Sequence, residues 1–384
     1  MREQCYSSTH PPLPPTSEDE QVSWLRLLRS RRVGISTFYR LLIEHGTAGA
    51  ALQALPKIAA NAGVENYATC PRDVAVKEMR AGHAAGAMLV FAGSPIYPTR
   101  FYDLPDAPPF FWLLGQEKAL SAPSIAIVGA RNASSLGTRM ARNLAKDLGE
   151  AGFTIVSGLA RGVDTASHVG SLKTGSVAVL AGGIETIYPA ENTELAKNIL
   201  DAGALMSEQP VGLVAHARHF PMRNRLISGL AQAVVVIEAA SKSGSLITAR
   251  NALDQGRDIL VVPGHPMDSR STGCNQLIRD GATLVRSVDD IIEALKPQTS
   301  DPAPQQQSLN IPDPQRKPHL GQNTIVRHSD ILTRLGPTPL SEDQLIRDLH
   351  AESRDVSPAL TELEMTGKIL RQAGGLLALA SGPP

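Results

Sequence analysis

The sequence is poor in cysteine and in aromatic residues, carries no net charge, and contains no long hydrophobic run. Its three cysteines form neither a C-x-x-C motif nor a Cys/His spacing, which argues against a disulfide framework and a zinc site. Since 37 basic residues balance 37 acidic ones, the composition is not that of a protein that coats polyanions over its whole surface. Any nucleic-acid site must therefore be a local basic patch.

Apolar runs such as 233–237 are too short to cross a membrane, and the first twenty residues lack the apolar stretch of a signal peptide. We therefore expect a protein of the reducing cytoplasm that does not enter membranes.

Composition divides the chain into segments. Residues 1–19, rich in Pro, Ser, Thr and acids, predict a disordered leader. Helical spacing of apolar residues predicts a small helix-hairpin-helix or SAM-like domain over 20–93, whose hairpin is either structural or presents amides to phosphate. A Pro-rich aromatic bridge over 94–123 is expected to pack on the central domain. Residues 297–322 read as a Pro/Gln-rich linker, and three helical stretches and an apolar tail over 323–384 predict a winged helix.

Between these segments, residues 124–296 alternate apolar strands with helical stretches. Seven strands are expected, at "SIAIVGA", "FTIVSG", "SVAVLAGG", "ALMSEQP", "AVVVIEAA", "DILVVPG" and "ATLVRSV". Fully apolar strands joined by helices predict an α/β fold with a doubly wound, Rossmann-like, mostly parallel sheet. Ligands of such sheets bind beyond the carboxyl ends of the strands, so the chemistry is expected there.

The first strand runs into "IVGARNASSLG", where Gly129 ends the strand and Ser134 is placed to cap the next helix. Arg131 stands where a dinucleotide-binding motif has its second glycine, which excludes that motif and favours an arginine grip on phosphate or carboxylate.

The second and third strands end in "SGLARGVDTASHVG" and "GGIETIYPAEN". The first carries Arg161, and its Asp164 and His168 lie four apart on one helix face, either as a general-base pair or as groups that orient a ligand. A nucleophile with an elbow-like turn is missing from the pattern, which favours the second role. Tyr188 offers a face for stacking a base or forms a packed turn.

The stretch 215–230 contains no acid but several basic residues. Arg223 and Arg225 are expected in the first turn of a helix, where their side chains join free backbone amides in an anion trap. The following strand ends at Glu238 and leads into "SKSGSLITAR", a second predicted phosphate cradle at a helix N-terminus. Its members are Lys242, Ser243, Gly244, Ser245 and Thr248.

These motifs, together with "SEQPVG", "FPMRNRLISGL" and "GCNQLIRDGA", resemble in order and spacing the DNA-processing protein A (DprA/Smf) family. The resemblance is strong over about 94–290 and implies a homodimeric protein that binds single-stranded DNA and delivers it to the RecA recombinase during natural transformation. It implies neither catalysis nor a metal or cofactor. The pocket positions that it implies are Arg131, Arg161, Phe220, Arg223, Asn224, Arg225, Ser243, Gly244 and Ser245.

We further expect Ser134, Lys242 and Thr248 to contact DNA, and a second set of residues to support the pocket. That set is Gly129, Asp164, His168, Tyr188, Glu238 and Asn275. Leu277 and Ile278 are adjacent on a short helix and cannot both face one buried stripe, so we place a dimer interface there. The sequence departs from the family at Glu185, where Asp is usual, and at Leu136, where an aromatic residue is usual.

Two other functions compete with this one. A nucleotide-processing hydrolase of the lysine-decarboxylase-like group would use "SGSLITA" as its phosphate loop, but the Glu that ends that group's signature is missing. An adaptor would work through its C-terminal module, where residues 323–378 hold six basic and eight acidic residues. A net acidic module is a poor binder of DNA, so we expect it to contact protein.

Overall fold

The computed structural model describes residues 13–296, 328–336, 339–372 and 376–380, except for the side chains of residues 354 and 372. The chain separates into two compact units, Met1–Gln298 and Thr299–Pro384. Most of the predicted leader and the whole predicted linker lie outside the described residues. Among the residues that are described, no helix is both long and apolar enough to span a bilayer.

The first unit begins with four helices: α1 (Glu18–Arg29), α2 (Ile35–His45), α3 (Ala48–Asn61) and α4 (Arg72–Ala84). Ser17 caps α1 through a capping box with Glu20, so the helix already starts inside the segment predicted as a leader. Trp24 and Phe38 meet edge to face at 5.1 Å in the core of these helices. The predicted helical domain is therefore present.

Two strands that the sequence did not predict follow these helices. They are β1 (Met88–Phe91) and β2 (Phe110–Gly115), with the short α5 (Lys118–Ser121) after them. β1 pairs with β2, and β2 pairs with a strand of the central domain, both in antiparallel register. Part of the segment 94–123 therefore adds a strand to the central sheet, next to the edge strand β1. Its Phe110, Phe111 and Trp112 are fully buried.

The remainder of the unit alternates strands and helices as predicted. The elements are β3 (Ser124–Gly129), α6 (Ser135–Glu150), β4 (Thr154–Ser157), α7 (Val163–Ser171), β5 (Ser176–Val179), α8 (Thr193–Ile199), β6 (Ala204–Ser207), α9 (His219–Leu230), β7 (Ala233–Ile237), α10 (Ser245–Asp254), β8 (Asp258–Val261), α11 (Thr272–Arg279), β9 (Thr283–Leu284) and α12 (Val288–Leu295).

The sheet has the strand order β1-β2-β6-β5-β4-β3-β7-β8-β9. All neighbouring strands from β6 across to β9 are parallel. β3 pairs with β4 on one side and β7 on the other, so the chain changes its direction of winding there. Connections leave β3 and β7 toward opposite sides, which opens a crevice beyond their carboxyl ends. The Rossmann-like prediction is confirmed, and this crevice is where it places a ligand.

The second unit is a small helical bundle backed by a three-stranded sheet. It comprises α13 (His328–Arg334), β10 (Leu340–Ser341), α14 (Glu342–Asp348), α15 (Ser353–Met365), β11 (Ile369–Gln372) and β12 (Leu376–Leu379). The antiparallel strands have the order β10-β12-β11. Ile331, Leu345, Leu360 and Leu377 belong to a hydrophobic core of its own, and the element order is that of the predicted winged helix.

Candidate nucleic-acid interface

A cavity of about 580 Å³ lies beyond the carboxyl ends of β3 and β7. Its walls come from the loop after β3, the start of α7, one face of α9, and the loop that leads from β7 into α10. Among the twenty described residues that line it, four are basic and one is acidic. The local basic patch that the neutral composition demanded is therefore present at the switch in winding.

Eleven of the residues predicted for the site, from the strand ends or from the family resemblance, line this cavity. They are Gly129, Arg131, Asp164, Phe220, Arg223, Asn224, Lys242, Ser243, Gly244, Ser245 and Thr248. They lie on four separate chain segments, so the parallel strand ends gather them as the sheet geometry requires.

Arg223 is the buried cation of the cavity, with only 4% of its surface exposed. Its Nη1 donates to the carbonyl oxygen of Val179 at 2.7 Å, and its guanidinium lies against Gly158, where a Cβ would come within 1.8 Å of Nη1. Burial lowers the pKa of Arg223 to about 10, against the opposing effect of Asp164, so the side chain stays charged at neutral pH. Within the described residues its Nε is buried without a hydrogen-bond partner.

Asp164 is the acid that faces this arginine. Its carboxylate accepts backbone hydrogen bonds from Gly158 at 3.1 Å and Ala160 at 3.3 Å. Burial raises the pKa of Asp164, while the charge of Arg223 lowers it. Asp164 therefore fixes the loop after β4 and partly compensates the charge of Arg223.

Aromatic and cationic side chains form one wall of the site. The guanidinium of Arg131 lies 5.0 Å from the ring centre of Phe220, and that of Arg223 lies 6.0 Å from it. Tyr188, which is 54% exposed, meets Phe220 edge to face at 5.6 Å. Tyr188 thus belongs to this wall through Phe220, beside the residues that line the cavity itself.

The N-terminus of α10 also lines the cavity. Gly244 occupies its N-cap position, and the backbone amide of Ser245 donates to the hydroxyl of Ser243 at 3.4 Å. The hydroxyls of Ser243 and Ser245 are 2.7 Å apart, and Lys242 is exposed beside them. The positive end of the helix dipole, two hydroxyls and a nearby ammonium at the cavity favour an anion.

Sequence reasoning missed two useful residues of the lining, Arg270 and Ile247. Arg270 comes from the loop after β8, and Asp268 holds its guanidinium through two hydrogen bonds of 3.0 and 2.9 Å. The rule that strand ends carry the chemistry was applied to the earlier strands only. Applied to "DILVVPG" as well, it would have drawn attention to this loop.

The prediction that Arg225 joins Arg223 in an anion trap is corrected. α9 begins at His219, so both arginines lie beyond its first turn. Arg225 forms ion pairs with the carboxylates of Glu208 and Asp106, and the pair with Asp106 measures 3.1 Å. It also donates to the backbone oxygen of Asp106 at 2.8 Å. Two carboxylates therefore neutralise it on the side of α9 that faces away from the cavity lining.

Arg161 and Ser134 also lie outside the lining. Arg161 is exposed and forms a bidentate pair with Glu191, with distances of 2.6 and 2.8 Å. The backbone amide of Ser134 donates to Glu238 at 2.8 Å, its hydroxyl also bonds Glu238, and its Oγ accepts from the amide of Gly137 at 3.0 Å. The donor groups that these two residues were expected to offer to a ligand are thus already bonded to residues of the protein itself.

The remaining predicted support residues act at a distance from the cavity. His168 is buried on α7, where its Nδ1 lies 2.6 Å from the hydroxyl of Ser176. Burial, and then the charge of Arg223, lowers the pKa of His168 to about 3, so the ring is neutral. Asp164 and His168 thus bond different partners, which is not the geometry of a general-base pair.

The side-chain amide of Asn275 forms two hydrogen bonds with the backbone of Gly264, of 3.3 and 3.0 Å.

Leu277 and Ile278, predicted at a dimer interface, are both half-buried and pack against the main core. The two side chains therefore do not divide into one buried and one exposed residue. Within the described residues, no group of three or more His, Cys, Asp or Glu side chains is arranged to hold a metal ion.

Comparison with known proteins gives matches along most of the chain. The family model for DNA recombination-mediator protein A matches residues 88–296, that for the DprA-like N-terminal HHH domain matches 18–81, and that for the DprA winged helix domain matches 316–375. Protein Smf of Escherichia coli (strain K12) is 36% identical over 303 residues, which are 76% of this chain and 77% of that protein.

DNA processing protein DprA of Bacillus subtilis (strain 168) is 42% identical over 202 residues, which are 52% of this chain and 68% of that protein. Among solved structures, DNA processing protein A from Streptococcus pneumoniae superimposes with a TM-score of 0.56 at 30% identity, covering 69% of this chain and 99% of that one.

Proposed function

Because the chain belongs to the DprA/Smf family of DNA recombination-mediator proteins, we propose that its cavity binds single-stranded DNA, which the protein then delivers to the RecA recombinase. The observation that carries this proposal is the charge of the cavity: Arg270 is paired with Asp268, and the other three basic side chains, Arg131, Arg223 and Lys242, face one acid that is already bonded to backbone amides. A site of this kind attracts phosphate through charge alone and reads no sequence.

The two walls of the cavity suit a nucleic-acid strand. The positive N-terminal end of α10 with its two serine hydroxyls, and the ammonium of Lys242, suit a phosphate, and the wall formed by Phe220 and Tyr188 offers ring faces to bases. Because stacking needs an unpaired base, this combination favours a single strand over a duplex. Phosphate contacts are expected to supply most of the affinity, since the wall holds only these two rings among the described residues.

We propose that the protein binds without turnover, in the cytoplasm and as a homodimer. Asp164 and His168 serve different partners, and a neutral buried His168 that bonds Ser176 is poorly placed to take a proton from a substrate. A dimer formed near Leu277 and Ile278 would set two cavities along one strand and raise avidity. The winged helix is proposed to contact a protein, as its acidic balance favours.

The test measures the affinity of the purified protein for labelled oligothymidylate and for a duplex of equal length by fluorescence anisotropy at several salt concentrations. Arg131→Ala should weaken binding of the single strand and flatten the salt slope by roughly one unit, since one phosphate contact is lost. Arg161→Ala is the matched control: it removes an exposed arginine that also follows a strand, but one that Glu191 already neutralises.

Equal affinity for strand and duplex, or equal effects of the two substitutions, would place the DNA site elsewhere. Incubation with nucleoside monophosphates and magnesium tests the alternative hydrolase. Release of base or phosphate that disappears in Arg223→Ala would favour that enzyme over the binding protein.

A further inference from the structure

Two long helices begin beside the switch in winding, and their N-termini differ. α6 follows β3 and α10 follows β7, which are neighbouring parallel strands. The helix that follows the first strand is where Rossmann-like domains hold the phosphates of a nucleotide. In this protein only the α10 terminus faces the cavity lining, among the residues that the structure describes.

The N-terminus of α6 already holds an anion, the carboxylate of Glu238. This carboxylate reaches across from the end of β7 and bonds both the amide and the hydroxyl of Ser134, the N-cap residue of α6. A Cβ at position 137 would lie 2.5 Å from the carboxyl carbon of Glu238, so a glycine there makes room for the carboxylate against the first turn.

The backbone of Glu238 supports a dedicated role for this side chain. Its φ is +51°, in the left-handed region that glycine occupies at little cost and that other residues seldom adopt. An outlier of this kind next to a ligand cavity is a reason to look for a function of the side chain that it positions.

We propose that Glu238 is an internal anion that closes the α6 N-terminus to phosphate and so directs a phosphate-bearing ligand to the α10 N-terminus. Glu238 is therefore a specificity-determining residue: it removes the site that a free nucleotide would share with other Rossmann-like domains. Arg131, Arg223 and Lys242 line the cavity on the α10 side of this carboxylate. For the natural ligand, a DNA strand, the inference rests on the proposed function.

The experiment titrates inorganic pyrophosphate into the full-length protein by calorimetry. Glu238→Gly removes the carboxylate and relieves the left-handed backbone, so we expect an additional bound equivalent and at least tenfold tighter binding than in the wild type. Glu238→Gln removes the charge but still fills the space, so it should gain less, about threefold.

Asp268→Asn is the matched control, because it removes one negative charge at the other side of the cavity, frees Arg270, and leaves α6 untouched. If it gains as much as Glu238→Gly, or if neither Glu238 variant gains over the wild type, the proposal is overturned. Should Glu238→Gly fail to fold by circular dichroism, the comparison of Glu238→Gln with Asp268→Asn decides the question alone. Failure of the proposed function is separately visible, as wild-type protein that does not bind oligothymidylate.

Discussion

Each of two faces of α9 carries an arginine, and the two arginines have different roles. Arg223 and Arg225 are two positions apart, so on a helix their side chains point to nearly opposite sides. Arg223 faces the cavity with a guanidinium that backbone oxygen and one nearby acid only partly satisfy. Arg225 faces Glu208 and Asp106, which neutralise it fully.

The difference shows that a cluster of basic residues in a sequence is not yet a binding site. What matters for a ligand is the charge that remains after internal partners have been served. On the face of Arg223 much of the positive charge remains uncompensated. On the face of Arg225, the contacts of the described residues leave no uncompensated charge. The face of Arg225 instead belongs to a buried network, in which Arg29 donates to the backbone oxygen of Glu208 and pairs with Glu78.

The largest expected effect is on stability, from Arg225→Ala. This substitution leaves Glu208 buried without its cation, and breaking a buried pair in this way costs about 3–5 kcal/mol of unfolding free energy. Urea denaturation of the wild type and the variant measures the loss. The double variant Arg225→Ala with Glu208→Gln should recover part of it, and a loss below about 1 kcal/mol would contradict the contrast between the two faces.

Arg223→Ala should weaken DNA binding and should cost less stability than Arg225→Ala, because the buried Asp164 keeps its two backbone hydrogen bonds. A hydrogen bond to a charged group contributes about 1.5–3 kcal/mol, so the affinity for oligothymidylate should fall by roughly 10- to 100-fold. Anisotropy at fixed salt measures it, with protein that still unfolds cooperatively. A variant that binds within twofold of the wild type would mean that the cavity face of α9 is not a DNA contact.

The stability of the protein should also depend on pH through His168, whose pKa is lowered by burial and then by the charge of Arg223. Its pKa of about 3 in the folded protein lies below the ordinary value of 6.5, so the unfolded chain takes up a proton first as the pH falls. The stabilisation is complete above pH 6.5 and is lost progressively below it, by up to about 1.4 kcal/mol per pH unit. In His168→Asn, denaturation curves between pH 6 and 4 should lose that part of the slope. An unchanged slope would show that the imidazole titrates normally.

The smallest effect is expected from Asn224, the residue between the two arginines. It lines the cavity and its amide donates weakly to the oxygen of Gly244 at 3.4 Å. Loss of a neutral hydrogen bond costs about 0.5–1.5 kcal/mol, so Asn224→Ala should weaken oligothymidylate binding by a few fold. An effect equal to that of Arg223→Ala would indicate that position on the helix, and not charge, decides the contact.

The fold and most of the cavity follow from the sequence because both depend on local patterns. Apolar strands bounded by glycine predict the parallel sheet, and the ends of those strands predict Arg131, Arg223 and Ser243 in one place. The strands β1 and β2 were missed because they precede the stretch in which strands and helices alternate, and because β6, the partner of β2, lies about ninety residues away.

The errors at the site have a common cause. Arg161, Ser134 and Arg225 are all satisfied by carboxylates that are distant in the sequence, namely Glu191, Glu238 and Glu208. Tertiary packing decides which acid pairs with which donor, so these pairs cannot be predicted from the sequence near the motif. The spacing of Arg223 and Arg225 was the one usable signal, since two positions on a helix do not share a face.

The close approach of Arg223 to Gly158 links two positions that are 65 residues apart, because a side chain at 158 would occupy the volume of the guanidinium. A mutation at either position therefore changes what is tolerated at the other. Gly158 becomes a sequence marker for the cavity: in a gene whose product carries any other residue there, Arg223 is displaced. Such a paralogue is expected to keep the fold and to have given up the anion site.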